Sequence, residues 1–284
     1  ELLVLMTADM SHFSIEFFPP RTAAGEEKLD AVHAELAALG PEFFSVTYGA
    51  GGSTRDGTKR AVTRFAAAGS KVAPHLSFGG SDEDEILKLL HEYKDAGVDR
   101  LVCLRGDAPS GMGSASLYRY ANELVEFVRR ETGDYFTIDV ACYPEVHPQS
   151  RSVETDIEYF KAKVDAGANA AITQYFYNAD AYFGFVDDCE RAGINVPIVP
   201  GIMPITNYAN LARFSAACGA EIPRWLTKRL EFLEHDDTAL REFGIEVVTD
   251  LCEQLLAGGA PGLHFYSMNQ TAAVKRLWQN LLDD

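Results

Sequence analysis

An α/β architecture, a single (β/α)8 TIM barrel spanning residues 1–284, is the fold this chain predicts. Eight short apolar or β-branched runs recur along it, at residues 12–18, 43–49, 71–78, 100–106, 136–143, 170–177, 197–204 and 262–268. Gly, Pro or polar punctuation follows the runs, and longer stretches with helical spacing separate them. Strand, helix, strand with short loops requires parallel pairing through right-handed crossovers, and eight such units at this length suit a closed barrel. The rival, an open doubly wound sheet, needs a glycine-rich phosphate turn after its first strand, where this chain reads EFFPPR.

The elements follow in order. After the first strand, Leu29, Val32, Leu36 and Leu39 recur at threes and fours and predict a helix over residues 25–39, stopped by Gly40-Pro41. Before the fourth strand, SDEDEILKLLHEYKDAG predicts a helix capped by Ser81, with acids in its first turn and Gly97 at its end. SVETDIEYFKAKVDAG precedes the sixth strand and NADAYFGFVDDCERAG the seventh, each with a polar start and a closing Gly. The stretch 221–259, rich in Leu and charge, predicts one or two helices before the last strand. No linker or tandem repeat divides the chain, which reads as one domain.

Composition narrows the partners. With 42 Asp+Glu against 25 Lys+Arg, the net charge of −17 repels nucleic acid and anionic membranes, while a small anionic ligand remains open wherever cations converge. The five cysteines are scattered, odd in number and free of C-x-x-C pairs, which favours reduced thiols and a cytoplasmic protein. The opening ELLVLM is too short for a signal-peptide core, and no run approaches a membrane span.

Polar residues that end apolar barrel strands face the C-terminal mouth, where such folds carry their sites. That rule selects Glu16, Thr47, Tyr48, His75, Arg105, Asp107, Tyr143, Glu145, Gln174, Tyr266 and Asn269. Glu16, between Ile15 and Phe17-Phe18, reads either as a desolvated acid with a raised pKa, suited to proton donation, or as a glutamate paired with Arg21 or Arg105. Asp107 in LRGDAP reads as a ligand-facing acid or a turn residue, and Arg105 as a phosphate contact or a rim ion pair. His75 and His147 lack metal-ligand spacing, so no metal is expected, and each suits a ligand contact, with a core role for His75 and a turn role for His147 as the alternatives. Lys163 could meet a phosphate or sit solvated on its helix, and Phe214 and Tyr208 could stack on a planar ligand or pack.

The ordered string IEFFPPR, SVTYGAGG, APHLSF, LRGDAP, YPEVHP, KVDAGANAAITQYFY, PGIMPITN and HFYSMN, from Ile15 to Asn269, resembles bacterial methylenetetrahydrofolate reductases. The resemblance implies a cytoplasmic flavoprotein, commonly a homo-oligomer, that holds FAD in a (β/α)8 barrel. It further implies reduction of 5,10-methylenetetrahydrofolate to 5-methyltetrahydrofolate in one-carbon and methionine metabolism, with NADH or NADPH reacting in ping-pong order. Carried over by motif, Glu16 is the general acid that opens the folate five-membered ring, and Asp107 lies near flavin and pterin. FAD contacts fall on Tyr48, Ala50, His75, Arg105, Gly106, Asp107, Tyr143, His147, Asp156 and Lys163, with Ala121 and Ser150 as weaker alignments. Thr47 and Gln174 fall on nicotinamide or folate positions, and Phe214 and Tyr266 on the stacking side of the substrate site. Departures from the family pattern are Gln270, where Arg is common, and Tyr159 and Ala162, where polar or basic FAD contacts are common. A glycosidase pairing Glu16 with Asp107 or Glu145 is the competing enzyme class, and a non-catalytic flavin- or folate-binding barrel is the competing binder.

Overall fold

The computed structural model describes residues 12–48, 55–79, 81–105 and 120–282. Ala50, Gly106 and Asp107 lie outside them. Strands β1 (Phe13–Phe17), β2 (Phe44–Val46), β3 (Val72–Leu76), β4 (Arg100–Cys103), β5 (Thr137–Cys142) and β6 (Ala170–Thr173) are followed by β7 (Ile198–Val199), β8 (Gly201–Ile202) and β9 (Leu263–Tyr266). All pairings are parallel, in the order β7-β6-β5-β4-β3-β2-β1-β9-β8. The two edge segments are halves of one run broken at Pro200, so the sheet closes on itself as the expected barrel of eight strands. Proline has no N–H to give to a ladder, which is why the seventh run divides there.

Helices α1 (Ala23–Ala37), α2 (Arg55–Ala67), α3 (Glu83–Asp95), α4 (Ala121–Thr132), α5 (Val153–Asp165) and α6 (Ala179–Arg191) form the outer ring. Three helices, α7 (Tyr208–Cys218), α8 (Arg224–Leu233) and α9 (Asp237–Ala257), elaborate the last crossover, and α10 (Ala272–Asn280) follows β9. Helix α1 begins two residues earlier than its periodicity suggests, because Thr22 Oγ1 accepts from Gly25 N and caps it there. The cap of α3 is Asp82 rather than Ser81: Asp82 Oδ1 accepts from Glu85 N at 2.9 Å, while Ser81 Oγ is taken by Arg55 at 3.0 Å. Ser152 and Asn178 cap α5 and α6 as their sequences suggest.

Alternation along the strands sorts side chains to two faces. Phe13, Ile15, Phe17, Phe44, Val46, Leu101, Val140 and Phe265 join the large core under the helices. A separate apolar cluster of Phe43, Ala73, Val102 and Ile172 fills the barrel itself. The remaining interior positions are unusually polar for a barrel core: Ser14, Ser45, His75, Asp139 and His264 are all buried. Asp139 forms a bidentate pair with Arg100, at 2.7 and 3.1 Å, at the end of the barrel where β4 and β5 begin. The five cysteines are free, four of them buried, and no described helix is long and apolar enough to cross a membrane.

Candidate active site

Interior side chains near the C-terminal ends of the strands enclose a cavity of about 280 Å³. It brings together Glu16, His75, Tyr143, Gln174 and Tyr266, five of the residues singled out from sequence, with Tyr175 and Met203 among the other walls. Strand register explains the convergence, since Glu16 pairs with Ser45 on one side and with Tyr266 on the other.

Glu16 is partnered by two histidines rather than by Arg21 or Arg105. Its Oε2 lies 3.3 Å from His75 Nε2, 3.6 Å from His264 Nε2 and 3.5 Å from Ser45 Oγ. The His75 contact is within ion-pair distance but badly aligned, leaving Nε2 without a hydrogen-bond partner among the described residues. Burial does push the Glu16 pKa up, as the sequence suggests, but the close approach of His264 and His75 to the carboxylate outweighs it and brings the carboxyl down to about 2. The expectation of a raised pKa is therefore corrected: at neutral pH Glu16 is a carboxylate, and a proton it donates must first reach it. Although this cluster resembles a ligand set, no group of three or more His, Cys, Asp or Glu among the described residues could hold a metal ion.

The aromatic and amide walls are fixed by their own bonds. Tyr266 donates to the Thr173 carbonyl at 2.6 Å, and Tyr175 shares a 2.9 Å bond with Ser215. Gln174 Oε1 accepts from Tyr175 N at 3.0 Å, which leaves its amide hydrogens as the donors for the cavity. Gly201 makes the Tyr266 position possible: a Cβ there would lie 2.3 Å from Thr173 O and 2.6 Å from the Tyr266 ring and hydroxyl. Gly201→Ala is expected to cost about 1–3 kcal/mol by overpacking. Thermal denaturation checks this, and an unchanged Tm would show that the wall yields freely.

The loop after β5 forms a second group. Tyr143 and His147 meet edge-on with centroids 4.5 Å apart, and His147 Nδ1 accepts from Gln149 N, so its Nε2 carries the proton when the ring is neutral. Asp156 braces the loop by accepting from His147 N at 3.1 Å and Ser150 Oγ at 2.6 Å. Val146 is thereby held at φ 68°, a left-handed conformation costly for a β-branched residue. Arg105 reaches this loop through Gln149 Oε1 at 2.6 Å. Lys163 is turned onto the Ala141 carbonyl at 2.5 Å, and burial lowers its pKa.

Other expected residues lie elsewhere. Thr47 and Tyr48 follow β2, where Thr47 O accepts from Thr58 and Tyr48 stands over Gly79. Ala121 is the first residue of α4. Phe214, on α7, is exposed with the Arg213 guanidinium over its ring, and Gln270 is exposed beyond β9, neither lining the cavity. Asn269 does not point into the mouth: its side chain clamps Phe18 N and O at 3.0 and 2.8 Å, tying the end of β9 to that of β1. Glu145 accepts from Glu221 N at 2.7 Å and lines a different cavity with Tyr177 and Trp225, so it is not among the walls of the Glu16 cavity. Ser14, Ser45 and His264 carry no strand-end signal in the sequence, although each stands two residues before Glu16, Thr47 or Tyr266 on the same strand face.

The chain matches the family model for methylenetetrahydrofolate reductase over residues 3–282. It is 38% identical to the 5,10-methylenetetrahydrofolate reductase of Pectobacterium carotovorum, covering 90% of this chain and 85% of that protein. It is also 38% identical to methylenetetrahydrofolate reductase (NADH) 1 of Arabidopsis thaliana over 95% of this chain, and so spans only 48% of that longer protein. Among solved structures, a Clostridium thermocellum protein that binds two copies of 5-methyl-5,6,7,8-tetrahydrofolic acid superposes with a TM-score of 0.66 at 18% identity, covering 96% of this chain and 94% of that one, a likeness of fold. Sequence kinship across nearly the whole described barrel settles the lineage: the chain belongs to the methylenetetrahydrofolate reductase family.

Proposed function

We propose that this chain reduces 5,10-methylenetetrahydrofolate to 5-methyltetrahydrofolate with FAD as bound cofactor and NADH or NADPH as reductant, the two substrates reacting in turn. The observation that carries the reading is Glu16 on the wall of a ring-sized cavity, in contact with two histidines and surrounded by tyrosines and an oriented amide. The reading also makes the protein a cytoplasmic homo-oligomer without nucleic-acid or membrane partners.

The residues present fit FAD. His75 offers an unpartnered Nε2 at the cavity wall, and Arg105, His147 and Lys163 are nitrogen donors suited to an anionic dinucleotide. Tyr48, His75, Arg105, Tyr143 and His147 would hold the cofactor, Ser150 and Asp156 acting through the loop they brace. Lys163 already gives one ammonium hydrogen to the Ala141 carbonyl and keeps two for a phosphate. Bound there, FAD supplies the acceptance and donation of hydride. Glu16 transfers a proton to the amine nitrogen that leaves as the folate five-membered ring opens, so the one-carbon unit becomes an electrophilic iminium. Gln174 and Tyr266 orient the pterin through the amide hydrogens and the ring face, while Met203, Leu104 and Ile172 keep water from the reacting atoms.

The visible spectrum of the purified protein, with FAD added, tests this reading. Anaerobic NADH is expected to bleach the flavin, and methylenetetrahydrofolate to restore the oxidised spectrum. Failure to bind flavin after reconstitution would remove the FAD assignment.

A further inference from the structure

The proposed reaction uses Glu16 but leaves His264 without a task. This histidine is completely buried on the inner face of β9, where an unsatisfied polar ring would be costly. Both of its nitrogens are engaged. Nδ1 lies 2.7 Å from Ser14 Oγ, and Nε2 lies 3.6 Å from Glu16 Oε2 and 3.4 Å from Ser45 Oγ. Phe43 stacks beside the ring with centroids 6.1 Å apart, and Tyr266 meets it edge-on at 5.4 Å. Glu16 is 19% exposed and lines the cavity, so the route from His264 to the substrate runs through that carboxylate.

The surroundings suit a change of protonation. Both serine hydroxyls rotate and can donate or accept, so they serve His264 with one ring proton or with two. Among the described residues, the titratable groups facing the pair or the cavity beside it are His75 from β3, Tyr266 from β9, and Tyr143 and Tyr175 after β5 and β6, while Ser45 of β2, Phe43 just before it and Gly201 of β8 carry no charge. His75 differs from His264 in facing the cavity with an unpartnered nitrogen, which suits it to a ligand.

We propose that His264 is the positioning residue behind the acid: it holds on Nε2 the proton that Glu16 delivers, with Ser14 fixing the ring for the exchange. Substrate entry strips water from the carboxylate and favours its neutral form. His264 starts doubly protonated, and its Nε2–H bond breaks as the two side chains close from 3.6 Å and the Glu16 O–H bond forms, leaving a neutral ring whose Nδ1–H donates to Ser14 Oγ. That O–H bond breaks in turn as the leaving amine gains its proton, and water regains access between turnovers to restore the proton. This assignment rests on the function proposed above, whereas the coupling between the two side chains can be measured without it.

The test uses His264→Asn and Ser14→Ala in the FAD-reconstituted protein. First, the Glu16 carboxyl is titrated by NMR in protein carrying 13C-labelled glutamate, with Glu16→Gln identifying the resonance. His264→Asn is expected to raise its midpoint by about one pH unit or more, and Ser14→Ala by less in the same direction. Second, rapid mixing is expected to show folate-dependent flavin reoxidation slowed roughly tenfold or more in His264→Asn, with its pH profile displaced upward, and flavin reduction by NADH within about twofold. An unmoved Glu16 titration in either variant, with both half-reactions slowed equally at every pH, would overturn the proposal and leave His264 a packing residue. A wild-type protein that cannot reoxidise with the folate would overturn the function instead, and the titration would then decide the coupling alone. Should His264→Asn not fold, Ser14→Ala carries the same measurement with the loss of a single hydroxyl.

Discussion

Under the proposed function, Glu16→Gln is expected to slow folate-dependent reoxidation of the flavin by about 10²–10⁴-fold, a barrier increase of about 3–5 kcal/mol, while flavin reduction by NADH stays near its wild-type rate. The amide keeps the shape of the side chain and its place beside His75 and His264 but has no acidic proton to give. Rapid mixing of each half-reaction separates the two rates, and equal loss of both would place Glu16 in the architecture of the site rather than in its chemistry. The variant also carries a stability signature. The carboxyl titrates at about 2 in the folded protein against an ordinary 4.5, so it is deprotonated more readily folded than unfolded. A depressed pKa contributes stability above the unfolded value and loses it as pH falls. The contribution, about 3 kcal/mol at most, is therefore present above pH 4.5 and fades towards pH 2. In Glu16→Gln the acid limb of the stability profile should be flatter over that window, as urea denaturation at a series of pH values would show.

The same residue shows where sequence stops being informative. Its importance was legible, because a lone acid between Ile15 and Phe17 in a short strand needs a reason to be there. Its pKa was not. Ile15 and Phe17 point outward into the helix layer, so they do not desolvate Glu16; the barrel interior buries it, and His264 and His75 arrive from strands about 250 and 60 residues away. A hydrophobic pattern reports which face a residue takes, and says nothing about which residue stands opposite. The pairing of Ser14 with His264 and of Glu16 with Tyr266 is set by register across β1 and β9, which no local pattern contains. Hence the strand end marks Tyr266, while His264, two residues earlier on the same face, looks like part of an apolar run.

The eight-strand rhythm itself was legible because the outward faces are apolar and most crossover helices are followed by a glycine, with Thr22, Asp82, Ser152 and Asn178 capping four of them. Details failed where two groups compete for one partner. Ser81 looks like the cap of α3, but the Arg55 guanidinium claims its hydroxyl and Asp82 takes over. Asn269 looks like a ligand group at a strand end, yet two left-handed residues, Met268 at φ 51° and Asn269 at φ 55°, turn its amide back onto Phe18. Phe214 belongs to the family pattern but lies exposed on α7, so a stacking role for it rests on the resemblance and not on the cavity wall.

At the opposite end of the barrel, Asp139→Ala is expected to destabilise the protein by about 3–5 kcal/mol without changing the proposed half-reactions. Asp139 is 1% exposed and takes both Nε and Nη2 of Arg100, whose Nη1 bonds Glu42 at 3.0 Å and whose guanidinium lies 4.1 Å from the Phe43 ring centroid. Burial by itself would lower the Arg100 pKa; hydrogen bonds and charge from Asp139, with a smaller share from Glu42, reverse that and raise it. Truncating Asp139 therefore leaves a guanidinium in the barrel floor with its main partner gone and only Glu42 to answer it. Removing both charges is a different operation, because desolvation of the pair is then no longer incurred. Arg100→Met with Asp139→Leu should recover most of the lost stability, and a denaturant double-mutant cycle isolates the coupling. A cost below about 1 kcal/mol for Asp139→Ala would mean that water or Glu42 compensates the guanidinium fully. The flavin half-reactions discriminate further: the pair sits where β4 and β5 begin, whereas Glu16 sits near the end of β1, so a slowed folate step in a variant that remains folded would show the two ends of the barrel to be coupled through its polar interior.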